Sequence, residues 1–255
     1  MSLLELHGVA KRFGGLKAVD GIDLSVTEGT ISGLIGPNGS GKTTLFNLIT
    51  GFHRVSAGTI RFAGVEIQRL AIHRIAQLGL ARTFQKTTVF PQLSALENVR
   101  IGMFMRTRAG ALASMAQTRA EQRERAQSRL KAGEILEFLG LGAAAETAAK
   151  NLPFGLLRRL GIAIALAAQP RLLLMDEPAA GLNPEETRDL MHTLRRIRER
   201  GVTLLLVEHD MKLVMGICER ICVIDQGQRI AEGTPQEVSR DPDVVRVYLG
   251  EDLDL

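Results

Sequence analysis

Three features of the chain predict an α/β fold around a largely parallel sheet, with helices on both faces. Short apolar runs alternate with helical patterns. A glycine-rich segment from Gly36 to Thr44 joins one such run directly to a helix. A second apolar run ends in adjacent carboxylates, Asp176 and Glu177.

Each element has its own justification. Thr30 to Ile35 reads as a strand and Lys42 to Thr50 as the helix that follows the glycine-rich segment. Leu80 to Phe84 reads as a further strand. Leu172 to Met175 and Thr203 to Val207 are continuous apolar runs of the length expected for central parallel strands buried on both sides. Between them lies a helix from Pro184 to Arg200, started by Asn183 as N-cap, Pro184, Glu185 and Glu186, and stopped by Gly201. Residues 1–30 and 58–70 look like antiparallel strands, with turns at Gly14-Gly15 and Ala57-Gly58. Residues 91–150 carry no strand pattern and are rich in Ala, Arg, Glu and Leu, which predicts a helical insert. Ile221 to Ile230 reads as a hairpin turning at Gln226-Gly227. The expected layout is one domain over 1–255. It comprises a core with a β subdomain (about 1–90 and 160–240), a helical subdomain (about 91–159) and a tail (241–255).

Composition excludes several classes. At 255 residues, 45% hydrophobic and 24% charged, the chain has material for a large core and is not disordered. Its longest apolar stretch, Leu160 to Ala168, is far short of the ~20 residues of a membrane span. The start, Met1-Ser2-Leu3-Leu4-Glu5, lacks the features of a signal peptide, so a cytoplasmic protein is expected. Cys218 and Cys222 sit in an apolar context and read as packed or free thiols. The five histidines show no metal-ligand spacing. The net charge of +4 is concentrated between Arg106 and Lys131, either a solvated helix face or a contact with a membrane-surface partner. No stacking aromatics interleave there, which argues against nucleic acid.

The segment Gly36-Pro37-Asn38-Gly39-Ser40-Gly41-Lys42-Thr43-Thr44 carries the chemistry. Glycines let backbone N–H groups turn inward around phosphate oxygens, and the helix start adds its dipole. Lys42 is placed to reach the β- and γ-phosphates and the Thr43 hydroxyl to ligate Mg²⁺. The run Arg171 to Pro178 delivers Asp176 to a strand's C-terminal end, where its carboxylate suits the Mg²⁺ water shell. Glu177 follows as a candidate general base for an attacking water. The expected ligands are therefore a nucleoside triphosphate and Mg²⁺.

With these residues in this order, the chain resembles the ATPase subunit of an ABC transporter along its whole length. The resemblance implies a P-loop NTPase (RecA-like) mixed sheet core with an antiparallel β subdomain and a helical subdomain. It implies that Gln85 senses Mg²⁺ and water and faces the membrane subunit. Ala179 to Asn183 matches the loop at the dimer interface, and His209 matches the switch histidine at the γ-phosphate. Phe13 matches the aromatic that stacks on adenine, with a core Phe as its alternative reading. Lys11 to Val19, Ala81 to Gln85, Phe90 to Val99 and the ending Val247-Tyr248-Leu249-Gly250 resemble the branched-chain amino-acid importers in particular. A lipopolysaccharide-export ATPase is a close alternative. The implied partners are transmembrane permease subunits, a second ATPase subunit (identical or paralogous) and, indirectly, a periplasmic or extracellular solute-binding protein. The implied place is peripheral, on the cytoplasmic face of the inner membrane.

One motif departs from the family. Its signature reads Leu-Ser-Gly-Gly-Gln, or Leu-Ala-Tyr-Gly-Gln-Gln-Arg-Arg in this subfamily, and closes over the partner's ATP. Here it reads Leu152-Pro153-Phe154-Gly155-Leu156-Leu157-Arg158-Arg159. Gly155 is retained, but Pro153 brings neither hydroxyl nor N–H. Leu156 and Leu157 replace amides by apolar groups. The expectations are either impaired turnover of the partner's ATP, with a nucleotide-gated subunit of little turnover as the limit, or a site that Gly155 and its neighbouring N–H groups suffice to serve.

Overall fold

The computed structural model describes residues 1–83, 89–103 and 119–250. Gln85, Arg106, Arg108 and the end of the tail beyond residue 250 lie outside them. Met1–Arg82 together with Arg171–Leu255 form one unit, and Thr83–Pro170 forms a second.

Two sheets build the first unit. The smaller is antiparallel, with β1 (Ser2–Phe13), β2 (Leu16–Thr27), β4 (Ala57–Phe62) and β5 (Val65–Glu66) in the order β2-β1-β4-β5. The larger contains β3 (Ile31–Ile35), β6 (Leu80–Arg82), β7 (Leu172–Asp176), β8 (Thr203–Val207), β9 (Arg220–Asp225) and β10 (Gln228–Gly233). Its order is β10-β9-β3-β8-β7-β6, parallel except for the edge pair β9–β10. Every residue of β3, β7 and β8 is buried, which is why these strands read as unbroken apolar runs.

Helix α1 (Lys42–Ile49) joins the two sheets into one core. Leu45, Phe46, Leu48 and Ile49 share a cluster with Leu4 and Leu6 of the small sheet and Leu34, Leu174 and Leu205 of the large one. Each such side chain contributes about 1.5–3 kcal/mol on burial, so the helix that follows the glycine-rich loop is firmly seated.

The remaining helices of this unit are α6 (Pro184–Glu199), α7 (Met211–Ile217), α8 (Pro235–Val238) and α9 (Pro242–Gly250). The expected start of α6 is present: the Asn183 side chain accepts from Glu185 N and Glu186 N, and Glu186 accepts from Asn183 N. The second unit holds α3 (Ala95–Gly102), α4 (Arg119–Phe138) and α5 (Phe154–Ala167), with α3 packed on both others. Ser94 and Glu97 form a capping box at the start of α3, and α2 (Ile72–Gln77) belongs to the first unit. Among the described residues no helix is long and apolar enough to cross a membrane.

Two local readings need correction. Ala57-Gly58 is not a turn but the start of β4, and the β1–β4 register breaks opposite it, between His7 and Ala10. A Cβ on Gly58 would fall 2.3 Å from the Gly8 carbonyl oxygen, so the glycine serves close strand approach rather than chain reversal. The strand beginning at Leu80 pairs only as far as Arg82, and Phe84 lies outside the described residues.

Cys218 and Cys222 are both free and buried, as packed thiols. Burial pushes each thiol up to about 12. Neither should react with iodoacetamide at pH 8 while the chain is folded, and both should react in denaturant; mass spectrometry of the alkylated protein reads the outcome directly.

Candidate functional site

The glycine-rich loop leaves the end of β3 and is clasped from two sides. Gln226 and Gly227 both have positive φ, 46° and 80°, as the tight turn between β9 and β10 requires. Gly227 N donates to the Ser40 carbonyl at 3.0 Å, and Asp20 N of β2 donates to the Gly227 carbonyl at 2.8 Å. At Gly36 (φ 149°) a Cβ would lie 1.9 Å from the Ile224 carbonyl oxygen, and at Gly41 (φ 105°) 2.4 Å from that of Ala18. Only glycine fits these two positions. The base of the loop, Gly36, Ser40 and Lys42, is buried, while Asn38, Gly39 and Thr43 are exposed; Pro37 and Thr44 are half-buried.

Lys42 is buried, and its ammonium donates to the Gly36 carbonyl at 2.6 Å and the Pro37 carbonyl at 2.7 Å. A buried ammonium needs such acceptors, and these hold it inside the loop.

Neighbouring strand ends supply the carboxylates. Asp176 pairs with Val207 of β8, which pairs with Leu34 of β3, so Asp176 stands two strand spacings, ~10 Å, from the strand that leads into the loop. Glu177 N continues the ladder by donating to the Val207 carbonyl at 2.8 Å, but the residue itself adopts φ 48°. This left-handed conformation costs a non-glycine residue of order 1–3 kcal/mol. It accompanies a specific contact: Glu177 Oε1 lies 2.9 Å from His209 Nε2, beyond the end of β8.

Sequence reasoning missed two charged residues here, Arg82 and Glu208. Arg82 donates to Asp176 at 2.8 Å and to Asn47 of α1 at 2.6 Å. Arg82 lay inside a run already singled out, but nothing in its spacing marked a partner. Glu208 is buried and accepts from Ala179 N at 2.6 Å and His209 N at 3.0 Å, tying the loop after β7 to the loop after β8. Burial raises its carboxyl above the ordinary range, and the backbone N–H bonds offset part of that rise. Glu208→Ala leaves the buried Ala179 N–H without its acceptor. It is expected to lower stability by about 1–3 kcal/mol, read as the shift of a urea unfolding curve.

Phe13 ends β1, is exposed, and meets His53 edge-on at 5.4 Å and the Lys11 ammonium at 4.8 Å, so it is no core residue. Gly155 belongs to the second unit, where α5 starts at an N-cap, Pro153, that makes no side-chain cap. Phe154 beside it is exposed under the Arg158 guanidinium. Lys42, Asp176, Glu177 and His209 thus lie at the C-terminal ends of β3, β7 and β8, where open α/β sheets bind ligands.

Comparison with known proteins gives the family. The family model described as ABC transporter matches residues 19–180, and one described as branched-chain amino acid ATP-binding cassette transporter matches 228–254. A high-affinity branched-chain amino acid transport ATP-binding protein of Pseudomonas aeruginosa is 45% identical over 98% of both chains. The lipopolysaccharide export system ATP-binding protein of Escherichia coli is 34% identical over 100% of both. The crystal structure of an ABC transporter cassette in its ADP conformation superposes with a TM-score of 0.85 at 33% identity, covering 98% of this chain and 99% of the other. A glycine-rich strand-loop-helix turn, two carboxylate-bearing strand ends and a family match over most of the chain lead to one conclusion: this protein belongs to the ABC transporter family, as one of its ATP-hydrolysing cassettes.

Proposed function

We propose that this cassette binds MgATP on the Gly36–Thr44 loop and couples its hydrolysis, at an interface between two ATPase subunits, to import of branched-chain amino acids by separate membrane subunits. The observation that carries the reading is the Glu177–His209 pair, 2.9 Å apart, beyond the ends of β7 and β8, which lie to one side of the strand that leads into the loop. Glu177 is the general base for the attacking water, and His209 orients that carboxylate and faces the γ-phosphate. Lys42 holds the β- and γ-phosphates, and Phe13, exposed at the tip of the β1–β2 hairpin, stacks on adenine.

Mg²⁺ takes oxygen donors and keeps much of its water shell. The Thr43 hydroxyl, exposed at the start of α1, and the Asp176 carboxylate at the end of β7 are donors of that kind. When bound, the ion neutralises phosphate charge. Gln85 completes this set in the family pattern.

The exposure of Pro153 and Phe154 supports an intermolecular role for the signature segment, facing a second ATPase subunit. Permease subunits then place the cassette on the cytoplasmic face of the membrane, with a solute-binding protein acting through them. The match over 228–254 and the higher identity favour amino-acid import over lipopolysaccharide export.

Phosphate release by the purified chain across a wide concentration range, with Glu177→Gln as blank, tests the reading. Turnover rising faster than linearly with protein supports a catalytic dimer. MgATP binding without turnover at any concentration means that the chain needs a partner's signature, or works as a nucleotide-gated subunit.

A further inference from the structure

Asp176 already has a cation beside it. Arg82, the last residue of β6, donates from Nη2 to Asp176 Oδ2 at 2.8 Å and from Nη1 to Asn47 Oδ1 at 2.6 Å. The two side chains of the ion pair are only 7% and 8% exposed. The guanidinium also sits 5.5 Å from the centre of the Phe46 ring. It is therefore held by β6, by β7 and by α1, the helix that opens with Lys42 and Thr43.

We propose that Arg82 is a positioning residue that serves as the resident counter-charge of Asp176, and that it sets how strongly nucleotide binding depends on Mg²⁺. The inference rests on the reading of the Gly36–Thr44 loop as the triphosphate site. A bare carboxylate two strand spacings, ~10 Å, from the strand that leads into that loop would repel a triphosphate in a buried, poorly screened setting. Paired with Arg82, Asp176 adds no net charge to the strand end, and the phosphates meet the loop's N–H groups and Lys42 without opposition from that carboxylate. The Arg82–Asn47 bond keeps the guanidinium in place on α1, while the ion pair engages one carboxylate oxygen, Oδ2. Once Mg²⁺ is supplied, a second positive charge neutralises the same region, and Arg82 matters less. Its removal therefore weakens binding of free ATP more than binding of MgATP.

The test is equilibrium binding of ATP to the full chain at pH 8, in EDTA and in excess Mg²⁺. The wild type is compared with Arg82→Lys, Arg82→Gln and the double variant Arg82→Gln/Asp176→Asn. The ratio of Kd in EDTA to Kd in Mg²⁺ is expected to rise on the order of tenfold in Arg82→Gln, as loss of one charge at this range implies. Arg82→Lys keeps the charge and should stay near the wild-type ratio. In the double variant both charges are gone, so affinity in EDTA should return to within a few-fold of wild type.

An unchanged ratio in Arg82→Gln overturns the proposal, and so does Arg82→Lys behaving like Arg82→Gln, since only the shape of the guanidinium would then matter. If Arg82→Gln does not fold, the double variant decides: affinity in EDTA well below wild type overturns the assignment. A wild-type chain that binds neither ATP nor MgATP removes the triphosphate reading itself. MgATP binding by the wild type with a fixed ratio across the variants removes only the role of Arg82.

Discussion

Glu177→Gln is expected to lower ATP turnover by about 10²–10⁴-fold, the contribution typical of a positioned general base. Glutamine keeps the size and the carbonyl oxygen of the side chain, so its partner His209 keeps an oxygen at about the same place. What it loses is the ability to take a proton from water. Nucleotide binding should survive, because the Lys42 contacts to the Gly36 and Pro37 carbonyls and the turn clasping the loop do not involve Glu177. The expected pattern is therefore a collapsed kcat with MgATP affinity within a few-fold of wild type, measured by phosphate release and by equilibrium titration. A variant retaining more than a tenth of wild-type turnover would remove Glu177 from the role of base. The strained backbone at this residue fits the assignment: φ 48° is tolerated where it aims the carboxylate at His209, 2.9 Å away.

The site's grip and its carboxylates were legible in the sequence because their determinants are local. The loop motif, the apolar runs of β3, β7 and β8, and the capping residues of α6 each need only a few consecutive residues. Arg82 and Glu208 were not legible, because what defines them is pairing across strands. Arg82 meets Asp176, 94 residues later, only because β6 and β7 are neighbours in the sheet. Glu208 reaches the Ala179 N–H only because β7 and β8 end side by side. The misread Ala57-Gly58 has the same origin. A glycine that permits strand contact and one that permits a turn look alike until the partner strand is known, here Gly8 of β1.

Restoring the signature, Pro153→Ser with Leu156→Gln, is expected to raise turnover of an assembled pair by about 10²–10³-fold, since removing a donor from developing phosphate charge costs about 2.7–4 kcal/mol. The backbone needs no rearrangement. Pro153 sits at the N-cap of α5 with φ −55° and ψ 152°, an extended conformation that serine adopts at N-caps. Its present side chain makes no cap, so serine should also stabilise the helix by about 1 kcal/mol, which thermal unfolding of the isolated chain detects independently of catalysis. The two readouts separate two explanations. A raised Tm with unchanged turnover in the assembled transporter means that Gly155 and the free N–H groups of the first turn already suffice, and that the signature departure is silent. Raised turnover accompanied by the same shift in Tm means that Pro153 and Leu156 throttle hydrolysis of the nucleotide they face. If the partner subunit is not identical, that throttle acts on one site of the pair only, because this chain's own Lys42, Asp176, Glu177 and His209 lie in a different unit from Pro153 and are untouched by the substitution.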